Sequence, residues 1–459
     1  MAALKFRCII DLMQKDPIFD LIKQEKTRQN EGLELIPSEN YVSPAVLAAM
    51  GSILTNKYSE GYPSFESLHT DSEAEIAKNC LANYRYYGGQ VNIDRIERLA
   101  IARACKLFSA DHANVQPHSG AQANNAVYNA WLDPGDTILG LDLSQGGHLT
   151  HGSPVTQAAH IYNFINYQLD PITGDLNYEQ ISPLAKKHQP KILLVGYSAF
   201  SKIPDFQRIA NIASGLKDCL LMADMAHVAG LIAGKVHPNP LDYGFHVMTS
   251  TTHKTLRGPR GGLILTKGIV SSPLKAPKKT LENIPTLIDR SVFPGTQGGP
   301  HEHIIAAKAV AFREALQPDF HDYAENILKN NQALARALKD YGFKIVGNSS
   351  DNHLILLDVK QSFGIDGKSF EIALDKIGLT LNANSIPNDP LPYFRPSGVR
   401  LGTPAMTTRG LSTDDMQKIA DWMYQVAILC QAPASAEQVQ KYTHLKNAVK
   451  ALALAHPIP

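Results

Sequence analysis

The chain has 459 residues and a formal net charge of +1, with 44% hydrophobic and 19% charged residues. These values are ordinary for a globular protein, and the length predicts two or three domains. Proteins that bind nucleic acid by neutralising phosphates carry a basic face, and the sequence has no dense run of lysine and arginine, so we expect no nucleic-acid partner. The five cysteines are scattered and form no CxxC pair, which favours neither a disulfide framework nor a zinc site.

The amino-terminal segment is charged. Lys5, Arg7 and Asp11 interrupt its apolar residues, so it is too polar for a signal-peptide core or a membrane span. We therefore expect a cytoplasmic protein with no membrane partner. Residues 1–36 have a charged, helical pattern that ends before Pro37, and this pattern predicts an N-terminal helical arm.

Short apolar runs and helical stretches alternate in the next part of the chain. Lys191–Gly196 and Cys219–Asp224 are typical of strands buried on both faces, and Phe206–Leu216 between them has helical spacing. A strand–helix–strand order predicts a parallel sheet covered by helices. We predict a large α/β domain over residues 37–305.

The pattern changes beyond about residue 300. Ala306–Leu316 and Tyr323–Tyr341 have the spacing of amphipathic helices, and His353–Val359 has the composition of a strand. Ser412, with an acid three residues later, is typical of the start of a further helix. We predict a smaller, C-terminal α+β domain over residues 306–459.

The segment Met248–Gly262, MTSTTHKTLRGPRGG, contains the first candidate for chemistry. A free lysine amine has a pKa near ~10.4, and it becomes a Schiff-base nucleophile only when it is desolvated or set among cations. His253, Arg257 and Arg260 place charge near Lys254. Taken alone, the segment fits an active-site lysine and a surface lysine at a strand edge equally well.

Asp224 ends a predicted buried strand. Its carboxylate is therefore expected at the carboxyl edge of the sheet, where open α/β sheets bind ligands. A buried carboxylate needs a partner, and a pyridinium nitrogen is one candidate, with His227 close enough to reach the phenolic oxygen of the same ring. An aspartate that caps the following turn is the more common structural role for a residue in this position.

The segment His118–Asn124 precedes a helical stretch, Asn124–Trp131. Small residues at the start of a helix expose backbone N–H groups to a phosphate, although a plain capped helix has the same pattern. Neither a GxGxxG after a strand nor a GxxxxGK[ST] occurs, which disfavours dinucleotide and Walker-type nucleotide sites.

Two pairs of histidines are candidate metal ligands. His148 and His151 follow a Gly-Gly pair, which indicates a loop, and no acidic third ligand is close in sequence. A stacking role over an aromatic cofactor explains one of these imidazoles equally well. His301 and His303 have no evident partner either. We therefore expect no metal site.

Two further loops are candidates for anion binding. The sequence of Phe293–Pro300 predicts a tight loop with an exposed backbone, which could bind an anion or serve only as a turn. Arg400 lies among small residues in Pro396–Thr403 and could bind a carboxylate, although a surface arginine is the usual interpretation.

Taken in order, these segments resemble the serine hydroxymethyltransferase family over nearly the whole chain. The most specific blocks are THKTLRGPRGG around Lys254, GGHLTHGSPV around His148, FPGTQGGPH and RLGTPAMTTRG. The resemblance implies a fold-type-I transferase that uses pyridoxal 5'-phosphate and works as a homodimer or a dimer of dimers. It implies the reversible conversion of L-serine and tetrahydrofolate to glycine and 5,10-methylenetetrahydrofolate.

The resemblance also implies roles for individual residues. Lys254 carries the cofactor as an aldimine and Thr251 assists exchange of its amine, while Tyr87 lies close to that bond. The cofactor ring is expected to contact Asp224, His148, Ser198 and His227. The phosphate is expected to lie near Ser119, Gly120, Ala121 and His253, with Tyr58, Gly298 and Gly299 from the partner subunit.

The same resemblance predicts the substrate contacts. Arg400 and Ser38 hold the substrate carboxylate. Glu60, from the partner subunit, is the acid–base candidate that faces the serine hydroxyl and the folate. The positions that match folate contacts are Leu143, Gly147, Leu149 and Asn384.

The chain departs from the family pattern between Pro63 and Tyr84. The family reads EGYPGKRYYGG without interruption, whereas here Ser64–Asn83 is inserted. Asp71 or Ser72 could cap a short helix through Cys80, and the insert is expected to fold outward. Glu60 and Tyr87 keep their places only if the ends of the insert stay close. Ala121 also replaces a serine, which removes at most one hydroxyl donor.

Two other functions compete with this prediction. A folate-independent threonine or β-hydroxy amino-acid aldolase of the same fold would share Lys254 and Asp224 but would not need Glu60. A catalytically silent homologue that binds or regulates is the alternative from another class.

Overall fold

The computed structural model describes residues 16–64, 72–78, 84–171, 173–272, 275–433 and 435–459. The strands in this part of the chain are β1 (Leu33–Glu34), β2 (Gly61–Tyr62), β3 (Tyr84–Arg85), β4 (His112–Asn114), β5 (Thr137–Leu141), β6 (Asn163–Tyr167), β7 (Ile192–Gly196), β8 (Leu220–Asp224), β9 (Val247–Thr251), β10 (Gly262–Thr266), β11 (Lys344–Ile345), β12 (Leu354–Asp358), β13 (Leu379–Thr380), β14 (Asn382–Asn384) and β15 (Gly398–Gly402).

Helices connect and cover these strands. The helices are α1 (Pro17–Glu31), α2 (Pro44–Met50), α3 (Glu73–Lys78), α4 (Val91–Phe108), α5 (Gly120–Trp131), α6 (Gln157–Ile161), α7 (Tyr178–His188), α8 (Phe206–Ala213), α9 (Ala229–Ala233), α10 (Ile284–Arg290), α11 (Glu302–Ala315), α12 (Asp319–Asp340), α13 (Val359–Phe363), α14 (Gly367–Asp375), α15 (Pro404–Thr408), α16 (Thr413–Gln431) and α17 (Ala436–Ala455).

The main sheet has seven strands in the order β4-β10-β9-β8-β7-β5-β6. Strands β5 to β9 pair in parallel, whereas β10 pairs antiparallel with both β9 and β4. The two strands predicted around residues 191–196 and 219–224 are neighbours, with Gly196 opposite Asp224. The predicted fold class, a mostly parallel α/β sheet followed by a smaller α+β part, is confirmed.

Strand β7 shows why the two predicted strand segments are apolar throughout. Leu193 and Val195 pack into the core on one face of the sheet, whereas Ile192 and Leu194 pack into the core on the other. A strand covered on both faces has no solvent side, so it shows no polar alternation.

The C-terminal part contains an antiparallel sheet in the order β11-β12-β15-β14, packed on its own core. Helix α12 spans both cores, because Phe320 and Ile327 pack with the main sheet while Leu334 and Leu338 pack with the smaller one. Strand β1 pairs with β13, so the segment after α1 also joins the C-terminal core. The predicted domain boundaries at residues 36 and 305 stay predictions.

Of the insert, the structure describes Ser64 and residues 72–78. Helix α3 begins where capping was predicted, with the N–H of Glu75 donating to Ser72 Oγ at 3.3 Å. Ile76 is buried and Glu73 accepts two hydrogen bonds of 2.9 Å from Arg103 of α4. The helix therefore packs on α4, which was not predicted. Asp71 and Cys80 lie outside the described residues.

The ends of the insert are close together. Gly61 pairs with Arg85 and Tyr62 with Tyr84 in the β2–β3 ladder, and the N–H of Tyr86 donates to the carbonyl of Glu60 at 3.0 Å. The insert therefore does not separate Glu60 from Tyr87, as the prediction for these two residues required.

The helices in the described ranges differ from membrane-spanning helices. None of them combines the length and the apolar character that a transmembrane helix requires.

Candidate active site

A cavity of about 420 Å³ lies beyond the carboxyl ends of β7, β8 and β9. The edge of a parallel sheet where strands end is the usual ligand site of an open α/β fold. Most of the predicted site residues line this cavity, namely Ser38, Ser119, Gly120, Ala121, His148, Ser198, Asp224, His227, Thr251, His253, Lys254 and Arg400.

Asp224, the last residue of β8, is 8% exposed. Its Oδ2 accepts hydrogen bonds from Asn124 Nδ2 at 2.8 Å and from His151 Nε2 at 3.1 Å. Burial opposes the charged carboxylate, but His151, His148 and Asn124 together more than offset burial, so the pKa of Asp224 lies below its usual value. The cavity thus contains a fixed, ionised carboxylate.

Lys254 follows β9 by three residues and is 9% exposed. Its carbonyl accepts a hydrogen bond of 2.9 Å from Asn40 Nδ2, which anchors the backbone at this point. Burial lowers the pKa of the Lys254 amine to about 8, with Asp224 opposing the shift and Arg400 adding to it. The buried amine therefore releases its proton more readily than a free lysine does, as a nucleophilic lysine requires.

The structure supplies the acidic neighbour that the histidine pair lacked in sequence. Donor atoms of His148, His151 and Asp224 all lie within 4.8 Å of one another, which is compatible with a metal ion. Burial lowers the pKa of His148 to about 4, so its ring is neutral. The predicted absence of a metal stays a prediction.

Ser119 begins helix α5 as its N-cap, with its Oγ accepting from the N–H of Gln122 at 3.2 Å. A methyl group added at Gly120 would lie 2.8 Å from Thr251 Cγ2, so the loop packs tightly against the end of β9. Nearby, burial lowers the pKa of His253 to about 3, with Arg260 and Lys254 adding to the shift.

Arg400 enters the cavity from β15 of the C-terminal part. Its Nε donates to Asn382 Oδ1 at 3.1 Å, and its Nη1 donates to the carbonyl of Ser198 at 2.5 Å. Burial lowers the pKa of Arg400 to about 10, so it is charged at neutral pH. Its Nη2 has no hydrogen-bond partner in the described part of the chain and can bind an anion.

Several residues around the cavity were not predicted. His353 is fully buried, and its Nε2 lies 3.3 Å from Nδ1 of His227. Tyr197 and Glu39 also line the cavity. The only sequence signal for His353 was a histidine at the start of a predicted strand, and such a histidine is usually structural.

Five predicted residues form a second cluster that does not line the Lys254 cavity of its own chain. Tyr58 Oη donates to Glu60 Oε1 at 3.2 Å, and the rings of Tyr58 and Tyr87 pack edge to face at 5.0 Å. Methyl groups added at Gly298 and Gly299 would lie within 3.5 Å of Glu60 Oε1 and of the Tyr58 ring, respectively.

The predicted folate-contacting residues lie outside the lining of the cavity. Leu143 and Leu149 belong to two single helical turns on either side of Gly147 and His148, and both leucines are exposed. Asn384 ends β14, beside β15 that carries Arg400, and its Nδ2 donates to the carbonyl of Ser385 at 2.7 Å.

Known proteins resemble this chain along most of its length. The family model described as serine hydroxymethyltransferase matches residues 12–423. A protein named serine hydroxymethyltransferase from Francisella tularensis subsp. holarctica (strain OSU18) is 49% identical over 442 residues, 96% of each chain. One of the same name from subsp. mediasiatica (strain FSC147) is 51% identical over 413 residues, 90% of this chain and 91% of its own.

The fold and the cavity together indicate a class of enzymes. A mostly parallel sheet with a buried lysine and an ionised aspartate at its carboxyl edge is the architecture of fold-type-I pyridoxal-phosphate enzymes. Within this class, the chain belongs to the serine hydroxymethyltransferase family. The predicted family and enzyme class are confirmed, whereas the roles of individual residues stay predictions.

Proposed function

We propose that the protein reversibly converts L-serine and tetrahydrofolate to glycine and 5,10-methylenetetrahydrofolate, with pyridoxal 5'-phosphate held in the Lys254 cavity. The observation that carries this proposal is the meeting of Lys254, Asp224 and Arg400 in one cavity at the sheet edge. Lys254 can react with the aldehyde of the cofactor, Asp224 can pair with its ring nitrogen, and Arg400 can bind the carboxylate of the substrate.

The charges of the cavity fit the cofactor. Lys254, Arg260 and Arg400 are its cationic residues, and Asp224 and Glu39 its acidic ones. Such a site can accept a phosphate and a carboxylate, because fixed cations and the N-terminus of α5 offset their charge. When bound, the cofactor supplies an electron sink for breaking the Cα–Cβ bond of serine.

Individual residues would hold the cofactor as follows. Asp224 would keep the ring nitrogen protonated, His148 would stack on the ring, and Ser198 and His227 would lie near its phenolic oxygen. Thr251 would assist exchange of the amine at Lys254. The phosphate would lie at the start of α5, against Ser119, Gly120, Ala121 and His253.

Substrate binding would depend on Arg400. Its Nε and Nη1 are already held by Asn382 and Ser198, so the guanidinium is fixed before the substrate arrives. A fixed guanidinium loses little freedom when it binds a carboxylate, which favours correct orientation of the reacting bond. Ser38 would hold the other side of the same carboxylate.

The second cluster would complete the site from a partner subunit. Tyr58, with Gly298 and Gly299, would contact the phosphate, and Tyr87 would lie near the bond to Lys254. Tyr58 and Tyr87 are 56% and 45% exposed in the single chain, so both side chains are accessible to a partner subunit. A homodimer, or a dimer of dimers, is the assembly that places both half-sites together.

Glu60 would move the proton. Its Oε1 already accepts a hydrogen bond from Tyr58, and as a carboxylate it can accept the proton of the serine hydroxyl and return it. The exposed Leu143 and Leu149, with Gly147 and Asn384, would contact the folate. Residence in the cytoplasm and the absence of nucleic-acid and membrane partners stay predictions.

The test is cleavage of L-serine to glycine by the holoenzyme, measured with and without tetrahydrofolate. We expect the rate to rise sharply when tetrahydrofolate is added. A rate that does not respond would point to the folate-independent aldolase, and no turnover of any β-hydroxy amino acid would point to the silent homologue. Glu60→Gln is the matched control, because it should lose the folate-dependent rate while cofactor absorbance is retained.

A further inference from the structure

Lys308 of α11 is a lysine buried in the protein interior, and burial lowers the pKa of its amine to about 7, with the charge of Glu97 opposing the shift. The residue is 1% exposed. Its Nζ instead donates to three backbone carbonyls, those of Val115 at 2.6 Å, Pro117 at 3.2 Å and Gly262 at 2.7 Å. Three carbonyl acceptors favour the ammonium form of Lys308, because an ammonium has three N–H donors and each of them then has a partner.

The three carbonyls belong to two segments that meet at the start of α5. Val115 and Pro117 lie between the end of β4 and Ser119, whereas Gly262 begins β10 opposite Thr251. A methyl group at Gly262 would lie 2.4 Å from the carbonyl oxygen of Ser119, so the two backbones are in direct contact. Lys308 thus ties together the segments that form the wall behind Ser119 and Gly120.

The charge of Lys308 reaches the same region. Burial is the main cause of the lowered pKa values of His118 and His253, and Lys308 is among the charges that add to both shifts. These histidines adjoin Ser119 and Lys254. In its ammonium form, Lys308 favours an anion at the start of α5, because burial leaves the field of its charge only weakly screened.

We propose that Lys308 is a positioning residue for the phosphate end of the cofactor. It holds the Val115–Ser119 backbone against Gly262 and adds positive charge behind the loop, without touching the cofactor. This inference rests on the proposed function, since it assumes that the phosphate binds at Ser119 and Gly120.

The test compares two ligands that differ only in the phosphate. Cofactor-free protein is titrated with pyridoxal 5'-phosphate and with pyridoxal, and absorbance reports binding at Lys254. In Lys308→Met, we expect affinity for pyridoxal 5'-phosphate to fall by about 10- to 100-fold, as small displacements of positioning groups do. Affinity for pyridoxal should change by less than about threefold, because the lysine, ring and aspartate contacts remain.

Lys235→Met is the matched control, since Lys235 also donates to a backbone carbonyl, but to that of Leu107 in α4 and not to the segments behind Ser119. An equal loss of affinity for both ligands would show a merely structural role of Lys308 and overturn the inference. Unchanged affinity for both ligands would also overturn it. Lys308→Gln, which keeps two donors and loses the charge, is read in the same way if the methionine variant does not fold. Failure of the wild-type protein to bind pyridoxal 5'-phosphate at Lys254 would instead contradict the proposed function.

Discussion

At the scale of single residues, Lys254 shows that function lowers stability at this site. An unfolded lysine has a pKa near ~10.4, whereas burial lowers that of Lys254 to about 8. Below pH 8 both states are protonated, and the folded state carries the cost of a buried charge. Between pH 8 and ~10.4 the folded state has released the proton that the unfolded state retains, so stability rises with pH in this window.

We therefore predict that Lys254→Met stabilises the cofactor-free protein. The gain in the free energy of unfolding should be about 3 kcal/mol at pH 7 and should shrink as the pH rises from 8 towards 10. Urea unfolding of both proteins at several pH values measures it, with the exposed Lys217→Met as control. A gain that does not vary with pH would argue against the lowered pKa.

At the scale of elements, the β2–β3 ladder keeps the insert from displacing Glu60. Arg85 of β3 is buried and donates to Asp94 Oδ1 and Glu97 Oε2 of α4, each at 2.6 Å. Its Nη1 also donates to the carbonyls of Ser59 and Gly61, on either side of Glu60. One guanidinium thus fixes both ends of the insert to α4.

Arg85→Met should destabilise the protein by about 3–5 kcal/mol, because it leaves buried carboxylates without their cation. Arg208→Met removes an exposed arginine from its pair with Glu179 and should cost less than about 1 kcal/mol. Denaturant unfolding of the two variants provides the comparison. Similar, small losses in both would show that the Arg85 cluster does not hold the ladder.

Sequence patterns predicted the main helices and strands because the burial of an element determines which of its neighbouring residues are apolar. Runs such as Ile192–Gly196 are apolar throughout, since both faces of the sheet are covered. Contacts between residues far apart in the sequence produce no such local pattern. Glu73 and Arg103, which pack the insert helix on α4, are 30 residues apart, and His227 meets a histidine 126 residues away. These features became visible only in the folded chain.

The candidate site also contains some residues that the sequence predicted and others that only the structure shows. The family blocks identified the residues of the Lys254 cavity, and the structure brings most of them together. The neighbours that hold Asp224 ionised were not identified, because His151 lies 73 residues from it and Asn124 lies 100 residues from it. Local spacing cannot reveal a hydrogen bond between such distant positions.

At the scale of the whole molecule, the predicted site residues fall into two groups. The Lys254 cavity and the Glu60 cluster are separate within one chain, so we expect every active site to combine the two from different subunits. In a two-fold symmetric dimer, each subunit then gives its Glu60 to the other subunit's cavity.

Hybrid dimers test this sharing. A hybrid of Lys254→Ala and Glu60→Gln subunits, purified through two different tags, contains one fully intact site and should have about half the wild-type activity. A hybrid of wild type with the double variant is the control, and it should be inactive because each site then carries one substitution. The reverse pattern, with only the control active, would show that both half-sites act within one chain.

The central claim is that Lys254 carries the cofactor, and borohydride reduction of the holoenzyme tests it most directly. Reduction converts a Schiff base into a stable secondary amine, which peptide mapping by mass spectrometry can place on a single residue. We predict a pyridoxyl group on Lys254, and none in a folded Lys254→Ala variant. Modification at another lysine, or no modification of the wild-type protein, would contradict the account.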